Sequence, residues 1–338
     1  MDFRRIPKAG NYVSINMGGD SMKTGSGFNP RRFAVIGAGP VGSIVAAYLS
    51  KGGYEVTLCD IIPELVEKAV NPGIIIEGAE NFQQGVTRTC THVDELVEHD
   101  PEVIIIAAKA NALPLIASAI ESFYKEGMYV VSWQNGIDTE YEIARTLGKK
   151  AALRAVVNYG CQLVAPSHVH MAFHHYPHYI QELDPASKEV AAVIAEIFTE
   201  TGLVTENTDQ VVSIVWRKGI LNACMNPVCA VTGMTMSETI HDPIIFQIVS
   251  SLLKECIKVA RANEITLGWD FYPKAVEYLK SAGNHKPSML VDIENNRRTE
   301  IDFINGKFIE FGSQANIDTP YNTTLRALVK GVEIKNRE

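Results

Sequence analysis

Basic charge is scarce in this sequence. The 338 residues carry 31 Lys and Arg against 39 Asp and Glu, a formal net charge of −8, and basic residues cluster no further than pairs such as Arg31-Arg32 and Arg297-Arg298. Nucleic acid is therefore not expected as a partner, because a phosphate backbone selects for grouped cations. Long apolar runs are missing too. Stretches such as 33–37 and 103–108 break off far short of the roughly 20 residues needed to cross a bilayer, so no membrane span is expected. The six cysteines, at 59, 90, 161, 224, 229 and 256, form no CxxC pair, which excludes a disulfide scaffold and reads as reduced, buried thiols in a cytoplasmic protein. The first 30 residues are polar and Gly-rich without the apolar core of a secretory signal, and residues 1–31 read as an arm preceding the fold.

What is present is an ordinary globular composition, 46% hydrophobic and 21% charged, in a chain long enough for two domains. From residue 32 to about 136, short β-branched runs at 33–37, 55–59, 103–107 and 128–133 alternate with helical stretches near 41–51, 113–124 and 139–147. That texture predicts an α/β fold with a Rossmann-type, doubly wound parallel sheet. Residues 152–183 read as further strands closing that domain. Beyond about residue 184 the apolar period becomes helical, at 186–201, 209–230, 243–263, 271–282, 288–296, 301–311 and 320–334. The expected organisation is an arm over 1–31, a dinucleotide-binding domain over 32–208 and a mostly helical domain for substrate and dimerisation over 209–338.

Gly37-Ala38-Gly39-Pro40-Val41-Gly42 is a GxGxxG that follows a predicted strand and opens a predicted helix. Missing side chains let the backbone turn tightly and approach a pyrophosphate, whose charge meets the free N–H groups of the helix terminus. Asp60 ends the second strand 18 residues beyond Gly42, near the offset at which an acid accepts a ribose diol, although a solvated loop aspartate would look the same. Together these residues point to NAD.

The segment 211–231 is apolar almost all round, yet it carries Lys218, Asn222 and Asn226. At four-residue spacing they drift only about 40° per step and share one face. Buried amides and an ammonium need partners. A ligand supplies them in one reading; in the other, Lys218 reaches solvent and the asparagines bond to backbone. Pro227 predicts a kink and an unpaired Ala223 carbonyl. Ser288 reads as a helix N-cap or a ligand contact, and Thr299 and Asp302 as caps of the next helix with Glu300 in its first turn.

The order of these motifs resembles the ketopantoate reductase family: the glycine loop, Lys109 after a strand, Gln134-Asn135-Gly136, Lys218 with Asn222 and Asn226-Pro227, Pro287-Ser288-Met289-Leu290, and Thr299-Glu300-Ile301-Asp302 with Asn305-Gly306. The resemblance spans about residues 32–334. It implies a Rossmann domain followed by a helical domain like the C-terminal one of 6-phosphogluconate dehydrogenase, and nicotinamide-dependent reduction of 2-dehydropantoate to (R)-pantoate. Lys218 would then be the general acid, with Glu300 as its carboxylate partner. Asn222, Asn226, Ser288 and Asn135 would hold the substrate, and Lys109 and Asn135 would lie by the nicotinamide and its ribose. Hydride delivery to a ketone leaves negative charge on oxygen, which a positioned ammonium stabilises and protonates. Many members carry a basic residue where Asp60 stands, so NADH is expected here, with NADPH as the family's alternative. The other readings are a 2-hydroxyacid or opine-type dehydrogenase acting on a different 2-keto acid, and a catalytically silent NAD-binding regulator. His168, His170, His174, His175 and His178 crowd one segment without metal-ligand spacing, which predicts an exposed or subunit-facing strand pair and no metal. A homodimer is expected.

Overall fold

A computed structural model of the chain describes residues 27–281 and 283–336, so the expected N-terminal arm lies outside the described residues as far as residue 26. Among the described residues the strands in chain order are β1 Arg32–Ile36, β2 Glu55–Cys59, β3 Ile74–Gly78, β4 Phe82–Gln84, β5 Arg88–Cys90, β6 Val103–Ile106, β7 Tyr129–Ser132, β8 Ala152–Val156, β9 Tyr159–Ala165, β10 His168–His174, β11 His178–Glu182 and β12 Thr205–Asn207. The uninterrupted Val-Ile-Ile-Ile of β6 is buried on both faces, which suits the middle of a parallel sheet covered on two sides. That sheet has the order β12-β11-β8-β7-β6-β1-β2-β5. It is parallel from β5 to β8, and β11 then runs antiparallel to β8.

Helices Pro40–Lys51 and Lys188–Thr201 cover one face and Leu113–Glu121 and Thr139–Leu147 the other. A second sheet, β4-β3-β10-β9, packs beside Pro40–Lys51. The sequence reading contained no strands for 74–90, and the expected closing strands divide: β8 and β11 extend the large sheet, while β9 and β10 build the small one. The histidines divide with them. His168 and His170 face Glu77 near the surface, whereas His178 is fully buried, so the expected exposed strand pair holds for only part of the cluster.

The remaining chain is helical: Val211–Thr232, Met236–His241, Ile245–Ala262, Phe271–Lys280, Ser288–Glu294, Asn305–Gln314 and Pro320–Lys335. Val211–Thr232 is the axis, packed by Ile245–Ala262, Ser288–Glu294 and Pro320–Lys335. Two expectations change here. The helix read over 301–311 begins only at Asn305, because Thr299 and Asp302 do not cap it. Thr299 bonds through N and Oγ1 to Glu333, and Asp302 holds Arg326 and Lys330 on the last helix. The axial helix also runs on through Pro227 to Thr232. The Ala223 carbonyl that Pro227 leaves without an intrahelical donor accepts Asn305 Nδ2 at 2.9 Å, and the same amide donates to Asn322 Oδ1 at 2.8 Å.

Asn305 and Asn322 are fully buried, so Asn305→Leu strips the donor from two buried acceptors. The variant should lose about 2–6 kcal/mol of stability, at roughly 1–3 kcal/mol for each unpaired group. Urea unfolding measures this, and a loss below about 1 kcal/mol would show that the bonds are replaceable.

Candidate active site

The glycine loop closes β1 onto helix Pro40–Lys51, and each glycine has its own reason. Gly37 has φ +104°, and a methyl on it would meet Ala108 N at 2.5 Å; one on Gly42 would stand 1.8 Å from Gly37 O. At Gly39 a methyl would meet nothing within 4 Å. Backbone is therefore tight beneath the loop and open space lies at Gly39, in front of the first-turn N–H groups that have no intrahelical acceptor. Pro40 occupies the first helical position, where its missing N–H costs nothing, and Val41 follows it. Such a cradle fits a pyrophosphate. Asp60, at the end of β2, braces the loop: Oδ2 accepts Ala38 N at 2.7 Å and Oδ1 accepts Ile62 N at 3.0 Å. Arg88 on β5 turns to Glu55 and His99.

The polar stripe of the axial helix meets the Gln134-Asn135-Gly136 turn after β7. Gln134, Asn135, Gly136, Arg154, Val156, Val215, Lys218, Gly219 and Asn222 line one narrow cleft. Asn226 is buried one turn further along, and Ser288 is exposed in the first turn of its helix, with Pro287 in the N-cap position. A larger hollow of about 530 Å³, walled by Tyr141, Trp216 and Phe311, opens elsewhere on the axial helix. It includes neither Lys218 nor Asn222 nor the Gln134-Asn135-Gly136 turn, which the smaller cleft brings together.

Lys218 Nζ donates to Val157 O at 2.8 Å. Burial, with the charge of Arg154 behind it, pushes its pKa down to about 8. Arg154 is the second cation of the cleft. It donates to Ser132 Oγ at 3.0 Å, to Thr139 Oγ1 and to Gly136 O at 2.9 Å, and its Nε lies 3.8 Å from Glu140 Oε2. An arginine keeps its proton in such a site. The sequence reading passed it over, although a lone arginine inside Ala-Leu-Arg-Ala-Val is the kind of buried charge that signals a site.

The expected pairing of Glu300 with Lys218 is not formed. Glu300 Oε1 accepts Ala110 N at 3.0 Å, and its Oε2 lies 3.9 Å from Lys109 Nζ. Lys109, just after β6, donates to Asp292 Oδ2 at 2.6 Å. Burial opposes the charge on Lys109, but Glu300 and Asp292 outweigh it and hold its pKa above the ordinary lysine value. Asp292 was also unread. Its signal is an acid on the buried face of Ser288–Glu294, beside Met289, Leu290 and Ile293. These contacts tie the sheet unit to the helical unit beside the cleft, helped by Ile137 N to Phe303 O at 3.1 Å and Lys307 Nζ to Asp138 Oδ2 at 3.5 Å.

Two family models match the chain: "Ketopantoate reductase PanE/ApbA" over residues 33–185 and "Ketopantoate reductase PanE/ApbA C terminal" over 210–333. The chain is similar to the 2-dehydropantoate 2-reductase of Archaeoglobus fulgidus, 29% identical over 306 residues covering 90% of this chain and 98% of the relative. It is similar at 29% to that of Pyrococcus horikoshii, covering 88% of this chain and 96% of the relative. Among solved structures, D-mandelate dehydrogenase with NADH and anilino(oxo)acetate superposes with TM-score 0.81 at 26% identity, over 90% of this chain and 99% of that one. A PanE/ApbA family ketopantoate reductase from Ralstonia eutropha gives 0.80 at 26%, over 91% and 100%.

Gly42→Ala tests the cradle. The added methyl cannot coexist with Gly37 O at 1.8 Å, so the loop must open. Nicotinamide dinucleotide affinity, read by fluorescence titration, should weaken at least about tenfold, some 1.4 kcal/mol; unchanged affinity would move the binding site off this loop.

Proposed function

The chain belongs to the ketopantoate reductase PanE/ApbA family, and on that premise we propose that it is a nicotinamide-dependent 2-dehydropantoate 2-reductase, giving (R)-pantoate. The observation that carries the reading is Lys218, an ammonium with lowered pKa in a cleft shared with Asn222, the Asn135 turn and Arg154. When bound, the dinucleotide supplies the hydride. Gly37, Gly39, Gly42 and the first-turn N–H groups hold its pyrophosphate, and Asp60 its ribose. Lys218 gives its proton from Nζ to the substrate's developing alkoxide, and the fixed charge of Arg154 attracts the substrate carboxylate. Asn222 and Asn135 offer amides to the substrate, and Ser288 and Asn226 complete that set from the neighbouring helix and the next turn. Glu300 and Asp292 hold Lys109 at the cofactor side of the cleft instead of neutralising Lys218.

The division at residue 208 suits this reading: β12 ends at Asn207 and the axial helix starts at Val211. So does a homodimer joined through the helical domain, where Ile244 and Trp269 are 72% and 90% exposed. Among the described residues no helix is long and apolar enough to cross a membrane. The second reading, reduction of another 2-keto acid, is favoured by the superposition on D-mandelate dehydrogenase. A panel of 2-keto acids that includes 2-dehydropantoate, with and without an amine donor, separates the two readings and the opine case; no turnover with any of them would leave the silent regulator.

Lys218→Ala should lower kcat by about 10² to 10⁴ with little change in cofactor affinity. Because the acid form does the work, reduction by the wild type should be full below a midpoint near pH 8 and fall as Lys218 loses its proton above it. A variant keeping more than about a third of kcat would remove Lys218 from the mechanism.

Cofactor choice turns on Asp60. Each carboxylate oxygen keeps a second lone pair for the ribose diol, whereas a 2′-phosphate meets a like charge that costs about 4 kcal/mol at 4 Å before screening. Arg88, engaged with Glu55 and His99, offers no compensation. NADH should be favoured at least about tenfold in kcat/KM, and Asp60→Ala should narrow the ratio. Equal use of NADPH by the wild type would overturn the assignment.

A further inference from the structure

The histidine cluster is the feature that the function leaves unused, and it runs into the back of the cleft. The peptide joining Val157 to Asn158 has Lys218 on one side and His178 on the other: Val157 O accepts Lys218 Nζ at 2.8 Å, and Asn158 N donates to His178 Nδ1 at 3.0 Å. His178 Nε2 lies 3.1 Å from His174 Nε2. His174 Nδ1 meets Tyr176 Oη at 3.2 Å, and Tyr176 Oη donates to Glu80 Oε1 at 3.3 Å. Glu80 is 38% exposed, while the His174 side chain is 2% exposed and His178 is fully buried.

We propose that His178 is a positioning residue for Lys218, acting through the Val157–Asn158 peptide at the inner end of a hydrogen-bonded row that reaches the surface through His174, Tyr176 and Glu80. The bonds fix every proton in the row. An Nδ1 that accepts from Asn158 N–H leaves the proton of a neutral His178 on Nε2, from which it donates to His174 Nε2. His174 then carries its proton on Nδ1 and donates to Tyr176, whose hydroxyl proton goes to Glu80. All donors point one way, outward to a carboxylate, so each bond strengthens the next. An amide whose N–H is drawn off by an imidazole carries more negative charge on its oxygen, and that oxygen holds the Lys218 ammonium.

The row opposes what the rest of the cleft does to Lys218. Burial, and after it Arg154, drive the proton off, Cys161 and Glu300 act in the other direction from their own segments, and Val157 O binds the charged form. His178 itself must stay neutral to accept. Burial, His174 and Lys218 push its pKa down to about 3, so its acceptor is available throughout the neutral range. His174, also lowered by burial although Glu80 opposes the shift, must likewise stay neutral, because a second proton on it would face the proton on His178 Nε2.

This inference rests on Lys218 as the proton donor, so its test needs a readout besides turnover. In the full-length chain, the alkaline midpoint is measured in two ways: from kcat for 2-dehydropantoate, and from pH-dependent acetylation of Lys218 by acetic anhydride, read by mass spectrometry. His178→Leu should move both midpoints down by about 0.5 to 1 unit, because the charged amine loses part of its acceptor, with KM for the cofactor unchanged. His178→Gln, whose amide oxygen can accept from Asn158 N–H, should restore most of the shift. His174→Leu, which breaks the row one link further out, should give a smaller shift of the same sign. A folded His178→Leu protein whose midpoints stay put overturns the proposal, as does a uniform loss of kcat with unmoved midpoints and no recovery in His178→Gln. If His178→Leu does not fold, unmoved midpoints in His174→Leu overturn it. If the wild type ignores 2-dehydropantoate while His178→Leu still lowers the acetylation midpoint, the functional reading is defeated and the positioning role is supported.

Discussion

The cleft depends on how the sheet unit and the helical unit are held together beside it, by the apolar packing of Ile137 and Val156 into the helical core and by charged contacts. Lys109 leaves the end of β6 and reaches Asp292 at 2.6 Å, while Glu300 reaches back to Ala110 N at 3.0 Å. Asp292 and Glu300 are 2% and 7% exposed. Their carboxylates can be tolerated there only with such partners, since an unpaired buried charge costs several kcal/mol. Loss of either side would open the angle between the glycine loop and the axial helix. Every distance that matters for catalysis is measured across that joint, where an ångström of misplacement can cost about a hundredfold in rate.

The same geometry sets the electrostatics. Glu300 and Asp292 are occupied by Lys109, so neither neutralises Lys218 directly, and Arg154 adds a second fixed positive charge to the cleft walls. In the proposed reading such a lining favours an anionic keto acid, and it leaves Lys218 with a lowered pKa. For the proton-donor role proposed above, a pKa close to the working pH is the best value, and about 8 meets that condition. An intimate Lys218–Glu300 pair would have raised the value and weakened the acid.

Local signals were legible in the sequence because local physics wrote them. The β-branched runs, the glycine loop and the four-residue spacing of Lys218, Asn222 and Asn226 each depend on residues close together in the chain. The contacts of Glu300 could not be read that way. Its partners, Lys109 and Ala110, lie some 190 residues away, and a carboxylate goes to whichever donors the fold brings nearest. β3 and β4 were missed for a related reason: β4 has only three residues, and their sheet is completed by β10, about 90 residues later. His178 looked like one of several surface histidines because composition carries no sign of burial.

The position of the Lys218 amine depends on polar groups well away from it. Its helix must run on through Pro227, which removes an intrahelical donor, and Asn305 supplies the replacement at Ala223 O. Asn305 is held in turn by Asn322, whose Nδ2 donates to Glu255 Oε1 at 2.7 Å on the neighbouring helix. On the opposite side, Gly219 leaves room for Ile137, whose Cδ1 would lie only 3.3 Å from a Cβ at that position. That packing sets the Asn135 turn directly against the turn of helix that carries Lys218. A larger residue at 219 would push the two apart and widen the cleft even if every polar side chain were kept. The amine is therefore located by a proline repaired from a distance, by a missing methyl group beside it, and by one carbonyl in front of it.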